Sequence, residues 1–223
     1  MPFQLALDEI LFESVGTRRV VPLLRFYFSS EPWITVGYSQ SAEANDQNIC
    51  RRITGGGQVQ HGADIIFSLI ARKHEDESFG AVRKSYWKLH EAVKTGMESL
   101  GAAARIYRCD EKLEHGGDCF RFPIATDLAI DGKKVAGGAQ KRSAGVMLHQ
   151  ESIQCLSAIA SGRLMPAIVE GFEKIFQIKL CAQDLDPDLL RRAKDLSREK
   201  YERNFSAHQA PAHERTAELS SKN

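Results

Sequence analysis

Apolar residues recur at helical spacing over residues 3–15, with Asp8 and Glu9 reading outward, and predict a first helix. Two short apolar runs follow, PLLRFYFSS and PWITVGY, each bounded by Pro, Ser or Gly, and they read as strands. Residues 41–48 are polar with room for one helical turn, and residues 50–53 read as a short strand that feeds a run of three glycines. DIIFSLIA, residues 64–71, is apolar nearly throughout and reads as a buried strand. The strongest helical pattern covers residues 80–101. There Val82, Tyr86, Leu89, Val93, Met97 and Leu100 recur every three or four positions and Gly101 supplies a stop.

A strand over residues 102–107 and a polar loop over 108–118 come next. Then TDLAI, DG, KKVAGGAQKR, SAG and VMLHQESIQC alternate strand and turn, the pattern of an antiparallel meander. Helices are predicted at residues 163–176 and 188–201. Strands fill the centre, helices flank them, and the order is not a repeating βαβ. The class expected is therefore α+β with a central, mostly antiparallel (mixed) sheet. Residues 1–203 are read as one catalytic-size domain, and the polar residues 204–223 as a disordered tail.

Composition narrows the class without naming a chemistry. The chain has 223 residues, 43% hydrophobic and 26% charged, with a formal net charge of +1. That balance gives no global attraction to nucleic acid or to an anionic membrane, and neither is expected as a partner. No apolar run approaches the roughly 18 residues of a membrane span. The N-terminus MPFQLALDEILFE lacks the basic start of a signal peptide, so a cytoplasmic location is expected. Five cysteines, an odd number in a chain this size, argue for reduced thiols rather than a disulfide framework.

Two segments carry candidate chemistry. RRITGGGQVQH crowds Arg51, Arg52, Thr54 and His61 around Gly55, Gly56 and Gly57. No Lys-Ser/Thr follows the glycines, so this is not a Walker phosphate loop, and a strand rather than a helix follows them, so it is not a dinucleotide fingerprint. Backbone N–H groups exposed by glycine can cradle an anion or a carbonyl oxygen, and a ligand site is the reading preferred to a plain turn. In DCFRFPIATDLAIDGKKVAGGAQKR, Lys134 sits on a strand with Gly137 and Gly138, and glycines inside a strand mark close approach of a ligand or of other backbone. Cys119 stands among basic residues, which favour a thiolate, but taken alone it reads as structural rather than catalytic. Cys109, His115 and Cys119 have C-x5-H-x3-C spacing, which fits no common structural zinc pattern, and no metal is expected. His90, on the long helix, reads as structural.

Both segments resemble the biotin/lipoate ligase-like superfamily, in its lipoate branch. RRxTGGGxVxH is matched by residues 51–61, GKK/RIAGxAQxR by residues 132–142, and an ALDE-type first helix by residues 6–9. The resemblance runs over about residues 3–153. It implies an α+β catalytic domain that attaches an octanoyl or lipoyl group to a lysine of a lipoyl domain, in a 2-oxoacid dehydrogenase or the glycine cleavage H protein. A Cys-Phe pair before the Gly-Lys-Lys strand is similar to that of the cysteine-dependent octanoyltransferases. By that resemblance Cys119 accepts the acyl group as a thioester from acyl carrier protein, and Lys134 stabilises charge on the carbonyl oxygen. Arg51, Arg52, Thr54, Gly55, Gly56, Gly57 and His61, with Gly137, Gly138 and Ala139, are then substrate-binding.

Such a transferase needs no cofactor. The alternative, a lipoate-protein ligase, uses ATP and Mg and passes through lipoyl-AMP. A lesser alternative is a non-catalytic protein that binds lipoate or a lipoyl domain. A biotin ligase is disfavoured because GRGR character is missing. Two departures from the family pattern stand out. The family has His-Asp after the glycine loop, whereas Gly62 follows His61 here and Asp64 comes two residues after that. The family often has His-Gly-Ser near the third meander strand, where this chain has Gln150-Glu151-Ser152 with His149 one place early.

Overall fold

The structure, a computed structural model, describes residues 1–15, 22–41, 48–107, 125–154 and 161–202. The expected turn at 41–48, the loop at 108–118 and the tail at 204–223 lie wholly or largely outside those residues. The first half comprises α1 (Pro2–Ser14), β1 (Leu23–Tyr27), β2 (Trp33–Val36), β3 (Ile49–Arg51), β4 (Val59–His61), β5 (Ile65–Arg72) and, after a 3-10 turn, α2 (Val82–Ser99). The second comprises β6 (Arg105–Ile106), β7 (Leu128–Ile130), β8 (Lys133–Ser143), β9 (Val146–Ile153), α3 (Ser161–Phe176) and α4 (Pro187–Leu196), which runs on into a π turn.

The apolar run at β5 lies inside the main sheet, whose order is β1-β5-β9-β8-β7-β6 with every neighbouring pair antiparallel. Its side chains alternate between two cores. Ile65, Phe67, Leu69 and Ala71 pack with α2 and α3, whereas Ile70 packs with α1 and α4. Burial on both faces explains why the strand lacks polar alternation. Each large side chain so buried, such as Phe67, contributes roughly 1.5–3 kcal/mol. The two meander turns place Asp131 and Gly132, then Ala144 and Gly145, at positive φ, which suits the right-handed twist of the paired strands.

Three features differ from the sequence reading. A second, three-stranded sheet of order β3-β2-β4 carries the glycine loop, and its β2–β3 pair is parallel. Its strand β4, three residues long and just after the glycines, is too short for period-2 alternation to show. Asp8 does not face outward: it is fully buried. Its Oδ1 accepts from Arg25 (2.6 Å) and Ser68 (2.7 Å), and its Oδ2 from Tyr27 (3.0 Å) and Gln150 (2.8 Å). With four donors, a carboxylate can sit between helix and sheet and tie α1 to β1, β5 and β9. Glu9, by contrast, is bonded near the surface to Lys200 and Tyr201.

Candidate active site

The glycine loop is held from three sides. Tyr38 N–H donates to the Thr54 carbonyl (2.9 Å) and Arg52 N–H to that of Val36 (3.0 Å). The Arg52 guanidinium, almost fully buried, donates to the carbonyls of Gly55 (2.7 Å) and Gly57 (2.8 Å) and to Thr35 Oγ1 (3.2 Å). Thr54 Oγ1 donates to Gln150 Oε1 (2.7 Å), so the loop hangs on β9 and, through Gln150, on Asp8. Arg51 instead spans the carbonyls of Gly37, Tyr38 and Gln40.

The close fit needs Gly37. A Cβ there would lie 2.0 Å from the Gly56 carbonyl oxygen, which is backbone and cannot swing away. Gly37→Ala is therefore expected to displace the loop and cost about 1–3 kcal/mol. Gly55, around which a Cβ would meet nothing within 4 Å, is the control: Gly55→Ala should leave stability unchanged. Thermal unfolding of the two variants checks this, and equal Tm values would refute the packing argument.

His61, on β4, faces the same space. Its Nδ1 meets Asp64 Oδ2 at 2.6 Å and its Nε2 meets Thr35 Oγ1 at 2.8 Å. Asp64 also accepts from Ser152 Oγ (2.6 Å) and from the Gly62 N–H (3.1 Å). Burial pushes the Asp64 carboxyl up, but the bonds and charge of His61, with Ser152 and Gly62, outweigh it and hold the group below its usual range. The displaced Asp64 thus reaches His61 from three residues away, and Ser152 supports it from β9.

Lys134 reaches the site through a bulge. Leu128 pairs with Ala136 and Ala129 with Lys134, so β7 advances one residue while β8 advances two, and Val135 is the extra one. The extra residue reverses the alternation: Val135 and Ala136 both enter the core beneath α2 and α3, and Lys134 turns to the opposite face. Its ammonium lies over Gly137, where a Cβ would be 2.5 Å from Nζ, and meets Asp127 Oδ2 at 2.7 Å. The side chains of Lys134 and Asp127 are 6% and 3% exposed, so this is a buried ion pair. Gly138 makes room on the other face, where a Cβ would strike Glu151 Oε2 and the His149 ring.

Arg52, Gly56, His61, Lys134, Gly137, Gly138 and Ala139 line one open pocket, together with apolar Leu5, Val59 and Ile66. Arg51, Thr54, Gly55 and Gly57 are not among its lining residues; they belong to the loop's scaffolding. Thr35, Gln150, Glu151 and Ser152 line it as well; the last three are the stretch that departs from the family's His-Gly-Ser, and the sequence assigns none of the four to substrate binding. Cys119 lies outside the described residues, as do Cys109 and His115.

Behind Gly138 is a buried group of titratable side chains. His90 Nε2 (2.9 Å) and His149 Nε2 (2.7 Å) both meet Glu151 Oε2. Arg142 Nε donates to Gln140 Oε1 (2.9 Å), which leaves the Gln140 amide N–H for His149 Nδ1 (3.2 Å). His149 is therefore neutral, with its proton on Nε2. His90 Nδ1 faces the Thr126 carbonyl and its Nε2 a carboxylate, both acceptors, so His90 carries two protons. The charges fit. Burial lowers the His90 pKa, but Glu151 raises it more; burial holds His149 below its usual value. Burial raises Glu151, yet the His90 charge and the two imidazole N–H bonds carry it down to about 2. The three ligand atoms lie within 4.8 Å of one another, as metal ligands do, but protons already account for every contact, and we read the cluster as an ion pair with a neutral neighbour rather than a metal centre.

Comparison with known proteins places this architecture. The lipoyl protein ligase A/B catalytic domain matches residues 1–180. Octanoyltransferase LipM of Moorella thermoacetica is 33% identical over 161 residues, 67% of this chain and 59% of that protein. LipM of Bacillus cereus is 26% identical, with 91% of this chain and 92% of that protein covered. Among solved structures, lipoate-protein ligase A bound with ATP has a TM-score of 0.74 at 21% identity, covering 89% of this chain and 90% of that one. A bi-partite lipoate protein ligase from Thermoplasma acidophilum has a TM-score of 0.71 at 20% identity, covering 89% and 88%. These two share the α+β fold with its mainly antiparallel sheet. Among the described residues no helix is long and apolar enough to cross a membrane. With its family match extending over most of its length, the chain belongs to the lipoyl protein ligase A/B catalytic domain family.

Proposed function

We propose that the chain transfers an octanoyl group from an acyl carrier protein thioester to a lysine of a lipoyl domain, by way of a thioester on Cys119. The observation that carries this reading is a buried ammonium, Lys134, at a pocket with an apolar wall beside a glycine loop. The relatives named octanoyltransferase support the acyl group. In the first step Cys119 gives up its proton, its thiolate attacks the thioester carbonyl, the carbon–sulfur bond to pantetheine breaks, and that proton passes to the departing pantetheine sulfur. In the second, the neutral lysine amine attacks the Cys119 thioester, an amide forms, and the Cys119 thiol is released. Each step passes through a tetrahedral oxyanion, and a cation in a poorly hydrated site stabilises that charge far more than one in water. Thioester exchange is nearly neutral and amide formation from a thioester is downhill, so the proposed route uses neither ATP nor a metal.

Intact-protein mass spectrometry after mixing the enzyme with octanoyl-acyl carrier protein, without ATP, tests the route. The expected result is an added octanoyl mass that hydroxylamine removes and Cys119→Ser prevents. Absence of the adduct, with lipoyl-domain modification appearing once lipoate, ATP and Mg are supplied, would replace it with the ligase reaction. No modification under either condition would point to a protein that binds without catalysing.

A further inference from the structure

We infer that His90 is a positioning residue for Lys134, acting through the backbone of Thr126 and the carboxylate of Asp127. The inference rests on Lys134 serving the reaction as proposed above, and each link in it is a contact. His90 sits on α2 with no exposed surface. Its Nδ1–H reaches the Thr126 carbonyl across 36 residues of sequence. Thr126 has φ +92°, a region that a β-branched residue enters only under constraint. The next residue, Asp127, holds the Lys134 ammonium at 2.7 Å.

The constraint on Thr126 has three parts. Thr126 N–H donates to the Tyr107 carbonyl (2.9 Å) and Tyr107 N–H to the Asp127 carbonyl (2.6 Å). These two bonds pin the segment to the start of the sheet edge but leave the Thr126 carbonyl itself to His90. Without that donor a buried carbonyl loses its partner, and the unfavourable φ can relax by rotating the peptide that leads into Asp127. The carboxylate would then swing, and the ammonium with it. Glu151 acts on the other side of the ring. It holds the far nitrogen of His90 and supplies the negative charge that keeps the imidazole doubly protonated. Neither group need touch substrate for this arrangement to matter.

Two substitutions separate the clamp from simple core packing. An asparagine amide N–H branches from Cγ where histidine carries Nδ1, so His90→Asn can still donate to the Thr126 carbonyl but abandons Glu151. A glutamine amide N–H reaches about as far as Nε2, so His90→Gln can still donate to Glu151 but abandons Thr126. Octanoyl transfer to a lipoyl domain would be followed for both at a temperature where calorimetry shows each to be folded. His90→Gln is expected to lower kcat on the order of 100-fold with KM little changed, the scale of a misplaced catalytic group. His90→Asn, though less stable, should stay near the wild-type kcat.

Equal kcat in the two variants, whether high or low, would overturn the clamp, because the rate would then not follow the Thr126 contact. Lys134→Ala, assayed in parallel, separates this failure from that of the underlying reading. A wild-type rate in Lys134→Ala would remove both. A slow Lys134→Ala beside a fast His90→Gln would remove the clamp alone. Combining His90→Gln with Lys134→Ala should slow the reaction no further than Lys134→Ala does, since the clamp then has nothing left to aim.

Discussion

Lys134→Ala is expected to lower kcat for acyl transfer on the order of 100- to 1,000-fold, the range for deleting one preorganised donor to an oxyanion. The Lys134 side chain is 6% exposed and its ammonium is ion-paired, so the charge acts in a medium that screens it weakly. The substitution also leaves Asp127, 3% exposed at its side chain, without the ammonium it holds. Breaking a buried pair from one side costs about 3–5 kcal/mol, because the remaining charge keeps its desolvation penalty. A loss of rate alone would therefore be ambiguous. Lys134→Ala with Asp127→Asn removes both charges and should recover much of the stability without recovering the rate. Lys134→Arg keeps the charge, but a planar guanidinium cannot occupy the space above Gly137 that a single ammonium fills, and it should not rescue turnover. Single-turnover transfer from octanoyl-acyl carrier protein, read beside Tm, is the measurement. A double variant as fast as wild type would remove Lys134 from the reaction.

Long periodic segments of this fold are legible in the sequence because they are governed by local pattern. The helix at Val82–Ser99, the strand at Ile65–Arg72 and the hairpin of β8 and β9 all fall where periodicity and turn residues place them. Composition at the glycine loop likewise marks the place where Arg52, Gly56 and His61 meet. What does not read out depends on partners distant in the chain. Asp8 resembles a surface residue until four donors from three strands surround it. The direction of Lys134 hinges on the bulge at Val135, a mismatch between two strands that neither strand encodes alone. His90 looks like any helix histidine, because its carbonyl acceptor lies 36 residues away and its carboxylate 61. The family's His-Asp adjacency is missing from the sequence, yet a carboxylate still meets the imidazole, since Asp64 folds back to His61 Nδ1.

Glu151→Gln is expected to lower stability by about 3 kcal/mol near neutral pH while largely preserving turnover. Both imidazoles meet the same atom, Glu151 Oε2, one as a cation and one as a neutral donor. A glutamine can present oxygen or nitrogen at that position but not both, so one contact is lost, and the His90 cation loses its counter-charge. Holding a carboxyl at about 2 rather than at its ordinary 4.5 is worth about 3 kcal/mol, which sets the scale. For a chain this size that corresponds to a Tm lower by roughly 6–12 °C.

The pH dependence has a definite sign. Glu151 is depressed in the folded state, so its contribution is present above its unfolded value and is lost as pH falls through about 2. His90 is raised by Glu151, so its contribution is present below its unfolded value of 6.5 and is lost as pH rises through its higher folded value. The gap between wild type and Glu151→Gln should therefore be widest between these limits and shrink as pH drops below about 4.5. Neutral His149, held below 6.5 in both proteins, weakens each of them in acid and leaves the difference largely unaffected. Urea unfolding from roughly pH 3 to pH 7 reads the curve, and a gap that goes on widening as pH falls below about 4.5 would show that Glu151 is not folded as a carboxylate. Turnover should survive because a neutral His90 can still carry its one proton on Nδ1 and donate it to the Thr126 carbonyl. Stability lost with kcat retained in Glu151→Gln, set against kcat lost in His90→Gln, would divide the pair into a charge that holds the core together and a hydrogen bond that aims Lys134.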